Sequence, residues 1–299
     1  MLFKDGGPDV KMTPLEKAIF ATLSYADIFD YPLTENELWK YLIGIPTNLH
    51  KFRNSLASLL NKKQILIKKK YYVLPKRSAL VVKREQRERI ALGKARIAKK
   101  VARLLAHIPS VNFVGISGAL SMQNAPIEDD IDFFVITAPG MLWITRLLTT
   151  LLLDFLHLRR RPGETKYRNK ICLNMYMDAT KLTLPANERD LYSAHEIAQL
   201  KPLIDKHETH ALFLNSNKWV KRFLPHAFAT HRIVFTHEFI WFRILAPVES
   251  WCRGVQLIYM ARRRTTEKIR NYSLKFHPED VRERVMGEYE KRLNQLFRM

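Results

Sequence analysis

Cysteine is nearly absent from this chain: Cys172 and Cys252 are the two in 299 residues, far apart and in no C-x-x-C pair. That argues against a zinc site and a disulfide framework, and it fits a reducing cytoplasm, the expected compartment. A long uncharged apolar run is lacking as well. The greasiest stretch, MLWITRLLTTLLLDFLHL from Met141, carries Arg146, Asp154 and His157. It reads as a buried helix, and no membrane partner is expected. The N-terminal MLFKDGGPDVKM has no apolar core of signal-peptide length. Acidic residues are scarce: 29 Asp and Glu stand against 50 Lys and Arg, for a formal charge of +21 and a pI near 10.0. Such a balance predicts attraction to polyanions or acidic surfaces and says nothing about fold. Internal repeats and low-complexity tracts are also missing. What remains is an ordinary apolar content of 47% over a length that suits two or three domains, which excludes a disordered chain.

The positive charge is concentrated. Residues 51–105 hold 18 Lys or Arg against two Glu. Upstream, TPLEKAIFATLSYADIF places Leu15, Ile19 and Leu23 on one helical face. A second helix opens at Thr34, where Glu37 completes a capping box, and closes at Gly44 before Pro46. A third puts Leu49, Phe52, Leu56 and Leu59 inward and Lys51, Arg53, Asn54 and Ser58 outward. QILIKKKYYVLP then gives two short β-prone runs around lysines, with no Gly at the turn. Three helices and a basic hairpin over residues 1–77 resemble a winged helix-turn-helix. Residues 78–108 read as a basic connector helix with a stripe of Ile90, Ile97, Val101, Leu104 and Ile108, and with Lys94, Arg96, Lys99, Lys100 and Arg103 outside.

The middle of the chain changes character. SVNFVGIS reads as a strand, GALSMQNA as a short helix or turn, DIDFFVIT as a second strand, and ICLNMYM as a third. Strands alternating with helices predict a small mixed-sheet domain over 109–182, and the pattern from 183 to 299 reads as helical. The fold class expected is α+β.

The scarce carboxylates gather in IEDDIDFFVIT, residues 127–137. Alternate side chains of a strand share a face, so Asp130 and Asp132 point the same way, about 6.5–7 Å apart along the chain, while Ile131 and Phe133 enter the opposite layer. Two convergent carboxylates suit hard divalent cations, and two-metal sites serve displacement at phosphorus. The spacing alone equally fits the end of a solvated acidic loop. Glu128 and Asp129 read as loop residues that add negative potential. Gly118 lies twelve residues before Asp130, at a strand-to-helix junction suited to close approach by a phosphate.

GALSMQNAPIEDDIDFFVIT resembles the DNA polymerase beta-like nucleotidyltransferase superfamily, whose signature is Gly-Ser at such a turn and then a D-h-D strand. The likeness covers about residues 110–180. It implies that Asp130 and Asp132 hold Mg²⁺, two ions in all, which bridge the triphosphate of an NTP. The turn of Ser117, Gly118, Ala119 and Ser121 would hold the outer phosphates. An acceptor hydroxyl would attack the α-phosphate with release of diphosphate. Ala119 stands where the family has Ser. A third carboxylate is expected on the next strand, where Asp178 and Asn174 share a face at period two with Tyr176 between them; either is a candidate.

Other signals are weaker. GISGA around Ser117 falls short of a nucleophile elbow at Ala119. HETH at 207–210 spaces two histidines three apart without a third ligand. His226, His231 and His237 read as surface or packing residues, and HEFIWFRI fits a helical core. Lys166, Arg168 and Lys170 read as a solvated basic loop, or as cations that neutralise phosphates. The expected function is Mg²⁺-dependent nucleotidyl transfer, with DNA or RNA as a partner of the 51–105 segment. The alternative is a nucleic-acid-binding regulator on a degenerate transferase fold.

Overall fold

The computed structural model describes residues 12–228, 244–261, 268–276 and 281–297. His231 and His237 lie outside the described residues, as does most of HEFIWFRI.

The first unit is built from α1 (Pro14–Asp27), β1 (Leu33–Thr34), α2 (Glu35–Lys40), α3 (Leu49–Asn61), β2 (Leu66–Lys68) and β3 (Tyr71–Val73). Both α1 and α2 start on complete capping boxes, at Thr13–Glu16 and Thr34–Glu37, which satisfy backbone donors that a helix start leaves open. Helix α2 is shorter than expected and ends at Lys40, with Gly44 beyond it in the left-handed region. Strands β1, β3 and β2 form an antiparallel sheet in that order. The β2–β3 turn manages without glycine because Lys69 adopts φ +55°. Ile19, Leu23, Leu38, Phe52, Leu56 and Leu59 close this unit's core, whereas Leu49 stays 41% exposed.

Helix α4 (Leu80–Leu105) runs from this unit to the next. Its inner face departs from the expected stripe: Val81, Arg84, Ala91, Lys94, Ala98, Val101, Ala102 and Leu105 are buried, and Leu104 is exposed. Two cations thus sit on the inner face, because both find carbonyl and side-chain partners there. Arg84 donates to the carbonyls of Met122 (2.9 Å) and Gln123 (3.2 Å), pairs with Glu37 (3.0 Å) and stacks over Tyr31. It fastens the N-terminal unit to the sheet domain. Lys94 donates to the Asp129 carbonyl and to Asn169 Oδ1.

The sheet domain carries β4 (Val111–Ile116), α5 (Gly118–Ser121), β5 (Ile131–Thr137), α6 (Leu142–Phe155), β6 (Ile171–Asp178), α7 (Leu191–Gln199), β7 (Lys201–Asp205), α8 (Thr209–Ser216), α9 (Ala246–Ala261), β8 (Lys268–Arg270), β9 (Ser273–Lys275) and α10 (Val281–Phe297). Its strand order is β7-β4-β5-β6-β9-β8, mixed, with β5 and β6 parallel and the other pairs antiparallel. The stretch 183–299 is therefore not purely helical: it lends β7, β8 and β9 to the sheet. These are short segments at the two sides of the sheet, of three to five residues each, too brief for a clear period-two pattern.

Alternation along β5 divides two apolar layers. Ile131, Phe133 and Val135 pack with residues of α4, α6 and α9; Phe134 and Ile136 pack with α7, α8 and α10. Helix α6 has the buried face expected of it, through Leu142, Trp143, Thr145, Thr149 and Leu153. Among the described residues no helix is long and apolar enough to cross a membrane.

Candidate functional site

Register brings three polar side chains into one row. Ile116 pairs with Phe133 across β4–β5, and the Ser117 amide donates to the Asp132 carbonyl (3.1 Å), which sets Ser117 directly opposite Asp132. Asp132 in turn faces Cys172 across the parallel β5–β6 pair. Neighbours in register share a face. Asp130, just before β5, joins them: ligand atoms of Asp130, Asp132 and Cys172 all lie within 4.8 Å of one another. The two aspartates expected to converge do so.

Gly118 is the piece that makes this packing possible. It has φ +63°, and a Cβ there would come 2.9 Å from Asp132 Oδ2. Only a residue without a side chain accepts both the left-handed backbone and a carboxylate so near. Ser121 Oγ donates to the Gly118 carbonyl (2.8 Å), so it tightens the turn, and Ala119 is exposed beside it.

Carboxylates and cations meet in this corner. Arg160 Nη1 donates to Asp130 Oδ2 (2.7 Å), with its guanidinium 4.1 Å from the Tyr167 ring centre. Asp132 keeps a sliver of solvent contact yet lies deep among protein atoms. Burial pushes its carboxyl up to about 8, the charges of Asp130 and Asp129 add to the rise, and a hydrogen bond with Cys172 works against it. Burial, then the neighbouring aspartates, raise the Cys172 thiol well above its ordinary range. Acidic groups crowded beside one guanidinium form a place where a divalent cation would relieve repulsion.

The expected third carboxylate is not here. Asp178 pairs with Thr137 at the far end of β6, six residues beyond Cys172 and so about 20 Å away along the strand. Its oxygens accept from the Gly140 amide (2.8 Å), the Thr180 amide (2.9 Å) and the Thr180 hydroxyl (2.7 Å), a turn-closing role. Asn174 is the extra residue of a register shift between Leu173 and Met175, which breaks the period-two alternation assumed for it. Cys172 takes the place opposite Asp132. The sequence offers no signal that singles out Arg160 among three consecutive arginines, and none that marks Cys172 as the residue that meets Asp132.

The remaining basic and histidine candidates go elsewhere. Lys170 donates to the His157 carbonyl (2.6 Å), Arg168 lies 3.9 Å from exposed Glu128, and Lys166 is exposed. His207 occupies a left-handed turn position, and His210 stacks on Phe113. His226 stacks on Trp39, as a packing residue would.

Beside the row, a cavity of about 390 Å³ opens under α7, lined by Ser117, Phe134, Asn174, Met175, Glu196 and Ile197, with Lys268, Lys275 and Arg282 also on its wall. Burial raises the Glu196 carboxyl to about 7, with Lys275 opposing the rise. The arrangement joins a cation-seeking corner to a mostly apolar cavity. Comparisons of the chain with models of protein families, with curated proteins and with solved structures return no match.

Proposed function

We propose that this chain is a divalent-cation-dependent nucleotidyltransferase that moves a nucleoside monophosphate from an NTP to an acceptor hydroxyl. The observation that carries the reading is the convergence of Asp130 and Asp132 beneath the Gly118 turn. The donor set fits one ion better than the two that the resemblance implies, because Cys172 stands in the third carboxylate's place. When bound, the ion, Mg²⁺ on that resemblance, would supply charge neutralisation at the triphosphate. Asp130 and Asp132 would hold it, and Arg160 would fix the Asp130 carboxylate. The Gly118 turn would let phosphate oxygens approach the backbone, and the cavity beside Ser117 would exclude water from part of the substrate. Most of the rate gain would come from positioning and preorganised charge.

Titration of Mg²⁺–NTP calorimetrically into the native chain and into Asp130→Asn plus Asp132→Asn tests the reading. Binding is expected in the first and lost in the second, along with diphosphate release from radiolabelled NTP. Equal affinity in both would count against the proposal.

A second reading, a nucleic-acid-binding regulator, is favoured by the exposed cations of the N-terminal unit, which we read as winged-helix-like. Lys51, Asn54 and Lys68 are exposed. Arg53 pairs with Glu35 (2.6 Å), Lys69 with Glu85 (2.8 Å), and Lys70 lies over the Tyr71 ring. If Lys51 and Lys68 touch phosphates, Lys51→Ala plus Lys68→Ala lowers the salt slope of duplex binding by about 2. Tight binding without any diphosphate release would favour the regulator.

A further inference from the structure

We propose that Cys172 is itself a metal ligand, so that the corner takes a single thiophilic divalent ion of the zinc class in preference to Mg²⁺. The inference rests on the reading of Asp130 and Asp132 as ion-holding residues, and it changes which ion they hold.

Three observations converge. Cys172 occupies the register position facing Asp132, with its sulfur and both carboxylates inside one 4.8 Å cluster. Mg²⁺ demands oxygen donors in near-ideal octahedral geometry, whereas a thiolate beside carboxylates matches Zn²⁺ and Co²⁺. Three protein ligands also leave a position open, the pattern of zinc sites that act on a substrate.

Ser117 supplies the independent sign that something else binds there. It is 8% exposed, its hydroxyl makes no hydrogen bond to the protein, and it faces the same side as Asp132 at the adjoining register position. A buried hydroxyl left alone carries a desolvation cost that a partner would remove. A ligand atom at the open position would give it a partner, and the cavity it lines would admit the molecule that carries that atom.

The third finding is the local charge. Arg160 already occupies Asp130 Oδ2, which leaves too few carboxylate oxygens for a pair of hard ions and enough for one smaller coordination shell.

The test uses the full chain, stripped by a chelator and titrated with Co²⁺. A thiolate-to-cobalt charge-transfer band should grow in the near ultraviolet and be absent from Cys172→Ser. Zn²⁺ should displace the Co²⁺, with an affinity that falls more than about 100-fold in Cys172→Ser, since loss of outer partners alone costs 10–100-fold. On the native chain, Zn²⁺ should protect Cys172 from iodoacetamide, read by peptide mass spectrometry; this arm does not depend on any variant folding. Cys172→Asp should exchange the preference, losing the band and gaining Mg²⁺ affinity. If Mg²⁺ binds the native chain and Cys172→Ser alike, with no band and no protection, the thiolate ligand is refuted while the aspartate-pair reading stands. If no divalent ion binds at all, both fall.

Discussion

At the scale of single residues, Gly118 and Asp132 are one device. The turn must reverse in the left-handed region, and the carboxylate rests against the place where a side chain would be. Gly118→Ala should therefore cost about 1–3 kcal/mol in stability from the strained backbone. It should also push the Asp132 carboxylate aside, and weaken ion and NTP binding by roughly tenfold or more, about 1.4 kcal/mol per decade. Urea denaturation and calorimetry read the two effects separately. Native affinity in a destabilised Gly118→Ala would sink the idea that the turn positions Asp132. Asp130, Asp132 and the Gly118 turn were legible in the sequence because their chemistry is local: a fixed spacing and a strand's period of two. Arg160 and Cys172 were not, since each reaches the site through a partner remote in sequence.

At the scale of elements, β6 decides which polar residues meet. Its register shift at Asn174 separates a Cys172 end, facing Asp132, from an Asp178 end that closes the turn after β5. Asp178→Ala removes acceptors for two amides and a hydroxyl and should cost on the order of 2–3 kcal/mol. Thermal unfolding should record that loss while Mg²⁺–NTP affinity stays unchanged. A variant that folds as stably as the native chain but loses nucleotide would return Asp178 to the site. Helix α4 makes a similar point. Its periodicity located the helix, yet Lys94 and Arg84 turned inward because carbonyls from distant loops await them. No pattern within one helix can announce such partners.

The whole molecule is tied together by α1, α7 and α10. His195 on α7 stacks against Tyr25 on α1, ring centres 4.2 Å apart, and Arg292 on α10 donates to Asp27 at the end of α1 (2.5 Å). Burial drives the His195 imidazole down to about 3 from an ordinary 6.5. The unfolded chain thus binds a proton that the native chain refuses across that interval. The stability is full above pH 6.5 and is lost as pH falls toward 3. The melting temperature should drop between pH 7 and pH 4.5, and His195→Phe should flatten part of the slope. A slope unaltered by that change would show that other groups set the acid sensitivity.

By itself the sequence determined the capped second helix, the apolar strands of the middle domain, the acidic pair and the basic 51–105 segment. All of these follow from neighbours a few positions apart, where backbone geometry alone dictates the spacing. Only the tertiary structure decided the membership of the sheet, the inward turn of Lys94 and Arg84, the distance of Asp178 and the arrival of Cys172 beside Asp132. Those depend on which strand lies next to which and in what register, and a shift of one residue in β6 is enough to change the side chain that meets the carboxylates.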